Sequence, residues 1–133
     1  MKRIRLPSSR KPLYDFQLVH YARKYKIPYF RGIYSRDSLP KYSKTYETCI
    51  VNLDLQQNPG THWVCFIKRR FNILYFDPLG NVSPPQELLS YFAGNNVYYN
   101  RKSKQSPGTY NCGHLCLRFL IVETRKCRSN TSL

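Results

Sequence analysis

The spacing of apolar and polar residues predicts one helix near the start of the chain. It covers about residues 16–25, with Asp15 as its N-cap, and Pro28 ends it. Its apolar stripe is predicted to consist of Phe16, Val19 and Ala22, with Tyr25 or Leu18 beside them. Residues 30–40 contain turn formers and show no clear period, so we expect a long connecting loop there.

Three strands are predicted in the middle of the chain. The apolar and β-branched content of residues 47–53 indicates the first strand, and a turn at residues 56–60 follows. The next two strands cover about residues 62–69 and 71–77. A two-residue turn at Arg69 and Arg70 would place His62 directly opposite Asp77, with their Cβ atoms ~4.5–5.5 Å apart.

Three further elements are predicted in the second half. A helix over residues 84–92 begins with proline, where a helix tolerates it, and should cover one face of the sheet. A strand over residues 96–102 leads into a loop. The last helix begins at Cys112, and its core stripe is predicted to contain Leu115, Phe119 and Val122, widened by Leu120 or Ile121, with Cys116 one turn below Cys112.

The start of the last helix is a candidate catalytic element. Pro107 and Gly108 break regular structure, and Asn111 is well placed as the N-cap, which makes Cys112 the first helical residue. The positive end of the helix dipole favours a thiolate, so Cys112 has the setting of a nucleophile. The alternative is that Cys112 is a small buried residue at a helix start, as cysteine often is.

A histidine and a carboxylate in the hairpin favour the catalytic interpretation. A carboxylate that accepts from one ring nitrogen fixes the imidazole tautomer and leaves the other nitrogen to take the proton of a thiol. Asp77 precedes Pro78, which favours an extended conformation at the strand end. The alternative is a surface pair beside the turn, and a register error of one residue would separate the two side chains.

Length and charge set the remaining limits. The 133 residues suit one domain, which we divide into a basic N-terminal arm (1–12) and a catalytic domain (13–133). No apolar run is long enough to span a bilayer and no export signal is visible, so synthesis in the cytosol is expected. The five cysteines indicate neither a disulfide framework nor a metal site. The net charge of +15 favours contact with a polyanion such as DNA, although a solvated basic surface is the alternative.

Several blocks of this sequence resemble those of a known family. They are Gly60-Thr61-His62-Trp63-Val64, Tyr75-Phe76-Asp77-Pro78-Leu79-Gly80, and Gln105 seven residues before Cys112-Gly113-His114-Leu115-Cys116. Their type and order resemble the active-site segments of the adenovirus-type cysteine protease, adenain, and the order His, Asp, Gln, Cys is also that of the SUMO-specific proteases of the same clan. Residues 49–53 and the 30–40 loop add weaker similarity to adenain-like proteins of small DNA viruses and Maverick-type elements.

The resemblance implies a fold and a role for each site residue. The fold would be the α+β domain of the papain-like clan, with a central mixed, mainly antiparallel sheet and the nucleophile on a packed helix. Cys112 would be the nucleophile, His62 the general base, Asp77 its orienting acid and the Gln105 side-chain amide an oxyanion donor. No cofactor or metal is expected for the chemistry itself, and DNA and a viral peptide are the candidate activators.

The resemblance also implies a biological setting. The protein would be a monomeric endopeptidase of the host nucleus and the virion that cleaves viral precursor proteins at small or glycine-containing sites, with non-specific DNA contact and no membrane. Two alternatives stay open: an isopeptidase acting on SUMO- or ubiquitin-like conjugates with the same residues, and a non-catalytic basic protein that packages DNA.

Overall fold

The protein is a five-stranded sheet with helices on both faces. The computed structural model describes residues 3–54, 62–103 and 111–129. The elements in chain order are α1 (Asp15–Lys24), β1 (Phe30–Ser35), β2 (Tyr46–Asn52), β3 (Trp63–Arg69), β4 (Asn72–Phe76), α2 (Gln86–Tyr91), β5 (Asn96–Tyr99) and α3 (Cys112–Ser129). The spatial order is β1-β2-β3-β4-β5. The two central pairings are antiparallel and the two outer ones are parallel. The α+β class with a mixed sheet is therefore confirmed.

Each face of the sheet has its own apolar core. One core joins α1 and α3 to the sheet, because alternate residues of the central strands point to that side. Its most buried members are Leu18, Ala22, Ile50, Cys65, Cys116, Leu117, Leu120 and Ile121. The opposite core lies under α2, whose Leu88 is fully buried, and the prediction that this helix covers one sheet face is confirmed. None of the helices in the described ranges is long and apolar enough to cross a membrane.

The first helix lies where it was predicted, with different buried positions. Tyr14 and not Asp15 is the N-cap, and the Tyr14 N–H donates to Gln17 Oε1 at 2.9 Å. Phe16, predicted for the core, is 68% exposed, whereas Leu18 and Ala22 are buried. The apolar side chains of α1 surround much of the helix, so periodicity alone could not select the stripe that faces the sheet.

The prediction of a loop over residues 30–40 was wrong for its first half. Phe30–Ser35 forms the edge strand β1, which pairs in parallel with β2. A register irregularity lies between Phe30 and Gly32, where Gly32 has a φ of +149°, a conformation that favours glycine. Every residue of β1 is half-buried, so the strand lacks the alternation that identifies strands in a sequence.

The β3–β4 hairpin forms with a register two residues away from the predicted one. The turn is at Arg70 and Phe71, so Arg69 pairs with Asn72 and Cys65 with Phe76. A shift of two residues keeps every side chain on its predicted face, since the side-chain period of a strand is two. His62 and Asp77 therefore become diagonal neighbours, and they remain within contact.

The last helix begins at Cys112, as predicted, and it continues to Ser129. Its buried stripe differs from the prediction: Cys112, Cys116, Leu117, Leu120, Ile121 and Thr124 are buried, whereas Leu115 and Phe119 are half-buried and Val122 is 37% exposed. The predicted burial of Cys116 is confirmed. The predicted strand over residues 96–102 ends at Tyr99, and the predicted turn at 56–60 lies outside the described residues.

Residues of the predicted basic arm pack against the body of the protein. Ile4 and Leu6 are half-buried against the core of α1 and α3, while Arg3 and Arg5 are exposed. The Tyr25 hydroxyl accepts from the Arg5 N–H at 2.6 Å and donates to the Arg5 carbonyl at 2.9 Å. The division of the chain into an arm (1–12) and a catalytic domain stays a prediction.

Candidate active site

Cys112 lies where the first turn of α3 meets the beginning of β3. The Asn111 carbonyl accepts from the Leu115 N–H at 2.9 Å, which closes the first helical turn. The Cys112 Sγ accepts from the Trp63 N–H at 3.4 Å, and the residue is only 2% exposed. A main-chain donor is thus directed at the sulfur of the candidate nucleophile.

Gly113 allows this close approach of α3 to its neighbours. A Cβ at this position would lie 3.2 Å from Leu18 Cδ2 and 3.3 Å from Trp63 Cδ1, which is tighter than ordinary van der Waals contact. A larger residue would therefore push the first turn away from α1 and β3. Gly113 therefore sets the distance between the Cys112 thiol and the sheet.

His62 and Asp77 form a direct contact at the ends of the β3–β4 hairpin. His62 Nε2 lies 2.9 Å from Asp77 Oδ1, and the two side chains are 22% and 1% exposed, respectively. A carboxylate can only accept, so the imidazole donates through Nε2 and leaves Nδ1 as the ring nitrogen for another partner. Asp77 Oδ1 also accepts from the Leu79 N–H at 2.9 Å, which fixes the carboxylate in the turn after β4.

The surroundings of His62 favour its protonated form. Burial, the largest single influence, lowers its pKa, but hydrogen bonds with Asp77 and Cys112 outweigh it and raise the pKa of His62 to about 9. His62 therefore interacts with both the Asp77 carboxylate and the Cys112 thiol, as a base between an orienting acid and a nucleophile would.

The structure thus brings together three of the four predicted site residues: Cys112, His62 and Asp77. The fourth, Gln105, lies outside the described residues. Trp63, the neighbour of His62, is 7% exposed and donates through Nε1 to the Leu13 carbonyl at 3.3 Å. The catalytic roles of all four residues stay predictions.

Sequence reasoning missed Asn100, which holds the backbone of Asp77. The Asp77 N–H donates to Asn100 Oδ1 at 2.9 Å, and Asn100 Nδ2 donates to the Asp77 carbonyl at 2.7 Å. Asparagine near a strand end is common and carries no chemical signal by itself. Only the parallel pairing of β4 with β5 brings it beside Asp77, and that pairing is not visible in the local sequence.

Cys116 and His114, which flank the candidate nucleophile in α3, contact main-chain carbonyls. Cys116 is fully buried, which raises the pKa of its thiol, and its Sγ donates to the Trp63 carbonyl at 3.3 Å. His114 is buried on another side of α3, where Nε2 lies 3.0 Å from the Ser8 carbonyl. Burial lowers the pKa of His114 despite this hydrogen bond. Among the described residues, no group of three or more His, Cys, Asp or Glu side chains could hold a metal ion.

Comparisons with known proteins give similar structures and no sequence family. No protein-family model matches the chain, and no curated protein matches it. One similar solved structure is an ASFV protease, at 19% identity and a TM-score of 0.47, with 59% of this chain and 34% of that protein covered. Another is the SUMO protease Ulp1 with its catalytic cysteine oxidised to a sulfinic acid, at 18% identity and a TM-score of 0.45, with 62% and 42% covered. The chain therefore spans well under half the length of these proteins.

Proposed function

We propose that this protein is a cysteine endopeptidase whose nucleophile is Cys112. The observation that carries the proposal is the position of His62, which contacts the Asp77 carboxylate at 2.9 Å and forms a hydrogen bond with the Cys112 thiol. A cysteine, an imidazole and an orienting carboxylate in this order are the groups that acyl transfer through a thioester needs. The placement of Cys112 at the first position of α3 adds the helix dipole to this set.

The reaction has two stages. The Cys112 thiolate attacks the carbonyl carbon of the scissile peptide, and a carbon–sulfur bond forms while the carbonyl oxygen takes negative charge. The His62 imidazolium then gives its proton to the leaving amine as the carbon–nitrogen bond breaks, which leaves a thioester on Cys112. Water, deprotonated by the now neutral His62, attacks this thioester, and the carboxylic acid product and the Cys112 thiolate are released.

The oxyanion is proposed to be bound by main-chain and side-chain donors. We assign one donor to the Cys112 N–H, because it lies at the N-terminus of α3, where the helix dipole favours negative charge on an oxyanion beside the sulfur. We assign the second donor to the Gln105 side-chain amide on the basis of the sequence blocks alone. Removal of one such donor typically costs ~2.7–4 kcal/mol of transition-state stabilisation.

We propose substrates with small residues, glycine above all, beside the scissile bond. Cys112 is only 2% exposed, so an extended peptide can bring its carbonyl to the sulfur only if its neighbouring side chains are small. From the adenain-like sequence blocks we further infer that the substrates are viral precursor proteins and that the enzyme acts as a monomer in the host nucleus and the virion. The assignment to the papain-like clan is part of this proposal.

DNA contact and activation by DNA or a viral peptide belong to the same proposal. A cavity of about 550 Å³ lies between the N-terminal residues and α3, and its lining includes Arg3, Arg5 and Arg118. Asn111 and His114, on either side of the candidate nucleophile, also line it, so a phosphate bound there would touch the first turn of α3. Arg118→Ala should weaken binding of duplex DNA more than the charge-matched Lys126→Ala, and it should lower the salt dependence of binding by about one unit of slope.

The test of the proposed function is covalent labelling with an electrophilic peptide ending in Gly-Gly, followed by mapping of the modified residue. Cys112 should react in preference to Cys49 and Cys116, since burial raises the pKa of those two thiols and keeps them protonated. His62→Ala should slow labelling about 10²–10⁴-fold. His20→Ala, at an exposed histidine of α1, should leave the rate unchanged.

Two results would overturn the proposal or part of it. If Cys112 reacts no faster than a simple thiol, with and without duplex DNA and a candidate viral peptide, the enzyme assignment is wrong. If unlabelled enzyme, from a preparation in which the probe does modify Cys112, cleaves SUMO- or ubiquitin-like isopeptide conjugates in preference to linear glycine-containing peptides, the proposed nucleophile stands and the endopeptidase assignment falls.

A further inference from the structure

The main chain of Asp77 is held by a side chain and not by the sheet. β4 ends at Phe76, so Asp77 is the first residue beyond the strand ladder. Its N–H and its carbonyl nevertheless both have partners, because the Asn100 amide accepts from the first at 2.9 Å and donates to the second at 2.7 Å. Asn100 follows β5, which ends at Tyr99 and pairs in parallel with β4. The amide thus continues the β4–β5 pairing by one residue.

We propose that Asn100 is a positioning residue for the candidate active site, acting through Asp77 on His62. This inference rests on the proposed function and adds a residue to it. The Asp77 carboxylate reaches His62 Nε2 from a turn that the Gly80 N–H closes by donating to the Asp77 carbonyl at 2.9 Å, and the Asn100 amide adds a second donor to this carbonyl and the acceptor for the Asp77 N–H. Two hydrogen bonds on the two sides of one Cα fix both peptide planes, and so they fix the direction of the side chain.

The same segment also fixes the turn that follows Asp77. The Asn100 carbonyl accepts from the Asn81 N–H at 2.9 Å, and Ser103 Oγ donates to the Pro78 carbonyl at 3.3 Å. Gly80 has a φ of +76°, and a Cβ there would lie 2.4 Å from the Ser103 nitrogen. Residues 77–81 and 100–103 are therefore packed main chain against main chain, and movement of one segment displaces the other.

Asparagine is the residue type that this position requires. A carboxylate in its place could accept from the Asp77 N–H, but it could not donate to the Asp77 carbonyl. Alanine would remove both hydrogen bonds, leaving the Asp77 N–H without its acceptor and the Asp77 carbonyl with the Gly80 N–H, 2.9 Å away, as its donor. Because Asp77 is 1% exposed, water reaches its N–H only if the turn moves away from its present place, which would lengthen the contact with His62.

The test is a direct titration of the His62 imidazole by NMR in the wild type and in Asn100→Ala. The apparent pKa of His62, about 9 in the wild type, should fall by at least about one unit, because the contact with Asp77 is one of the interactions that raise it. At neutral pH, kcat/KM for a Gly-Gly peptide should fall about tenfold or more, mostly through kcat, since Asn100 acts on the base and not on the substrate.

Asn95→Ala is the matched control. The Asn95 amide also binds main-chain carbonyls, those of Phe92 and Ala93 at 3.0 and 3.3 Å, but it does so at the end of α2. Its removal should lower thermal stability without a change in the titration of His62. If Asn100→Ala does not fold, Asn100→Gln, which keeps the amide and moves it by one methylene, takes its place.

Failure of this inference differs from failure of the proposed function. If His62 titrates identically in the wild type, Asn95→Ala and the Asn100 variant, Asn100 is only a structural residue, whatever the activity of the enzyme. If the wild type never labels Cys112, the proposed function fails, but the titration still tests whether Asn100 orients Asp77.

Discussion

Asp77→Asn should shift the titration of His62 by more than two pH units. The pKa of His62 is raised from its ordinary 6.5 to about 9, and each unit corresponds to ~1.4 kcal/mol, so the protonated imidazole is favoured by about 3 kcal/mol. Burial acts in the opposite direction, and the hydrogen bonds with Asp77 and Cys112 overcome it. The neutral amide of asparagine preserves the shape of Asp77 and removes its charge, so the pKa of His62 should fall to the ordinary value or below.

The same shift predicts how stability depends on pH. Because the pKa of His62 is higher in the folded protein than in the unfolded chain, protonation of His62 stabilises the fold. This stabilisation is complete below about pH 6.5, and it is lost as the pH rises through about 9. The free energy of unfolding should therefore decrease by about 3 kcal/mol more in the wild type than in Asp77→Asn between about pH 6 and about pH 10. Urea denaturation at both pH values measures this difference.

The control and the refuting result for this prediction are simple to define. Asp37→Asn, at an exposed carboxylate that accepts from Ser35 Oγ, should leave the His62 titration in place. If the pKa of His62 stays near 9 in Asp77→Asn, the carboxylate does not hold the imidazolium, and the proposed roles of both residues are wrong.

Three further substitutions test other parts of the structure. Glu47→Gln removes the charge of a fully buried side chain that contacts Arg31 at 2.8 Å, so urea denaturation should show a loss of about 3–5 kcal/mol. Glu123→Gln, at a half-buried carboxylate that pairs with the exposed Lys126, should cost about 0–1 kcal/mol, and equal losses would contradict this. Leu120→Ala should lower the free energy of unfolding by about 2–5 kcal/mol because it opens a cavity in the core beside α3, whereas Val122→Ala should lower it much less. The reverse order would mean that Val122 faces the core, as the sequence predicted. Gly113→Ala should change the free energy of unfolding by only ~1 kcal/mol, because the higher helix propensity of alanine opposes the overpacking by its methyl group. The same substitution should slow labelling of Cys112 at least about tenfold. An unchanged labelling rate would refute our account of this glycine.

Local signals in the sequence predicted most elements and the start of α3. Asn111 and the residues around it mark the N-terminus of α3, and β-branched runs mark β2 and β3. These features depend on neighbours in the chain, so a single sequence carries them. The contact between His62 and Asp77 was also predictable, because it depends on which face each residue occupies and not on the pairing of individual residues.

Features that depend on distant partners were not predictable. β1 exists because β2 lies beside it, and the register of the β3–β4 hairpin depends on a turn in which Arg70 adopts a φ of +54° and Phe71 is 70% exposed. The apolar pattern around this turn is equally compatible with the predicted hairpin register, which differs from the observed one by two residues. In α3, apolar residues occupy nearly every face, so periodicity could not identify the buried stripe. Phe119, which was predicted to lie in the core, is half-buried and stacks on Phe76.

One residue of β3 ties the candidate nucleophile helix to the sheet through atoms that every amino acid possesses. The Trp63 N–H donates to Cys112 Sγ, and the Trp63 carbonyl accepts from Cys116 Sγ one helical turn away. These two contacts with the Trp63 main chain thus fix the position and the rotation of α3 on the sheet. Substitutions of the indole can empty part of the core and leave both sulfur contacts in place. Proline, which lacks the N–H, is the one replacement that would remove the donor to Cys112 Sγ, so this contact of the candidate nucleophile should persist through most other substitutions at position 63.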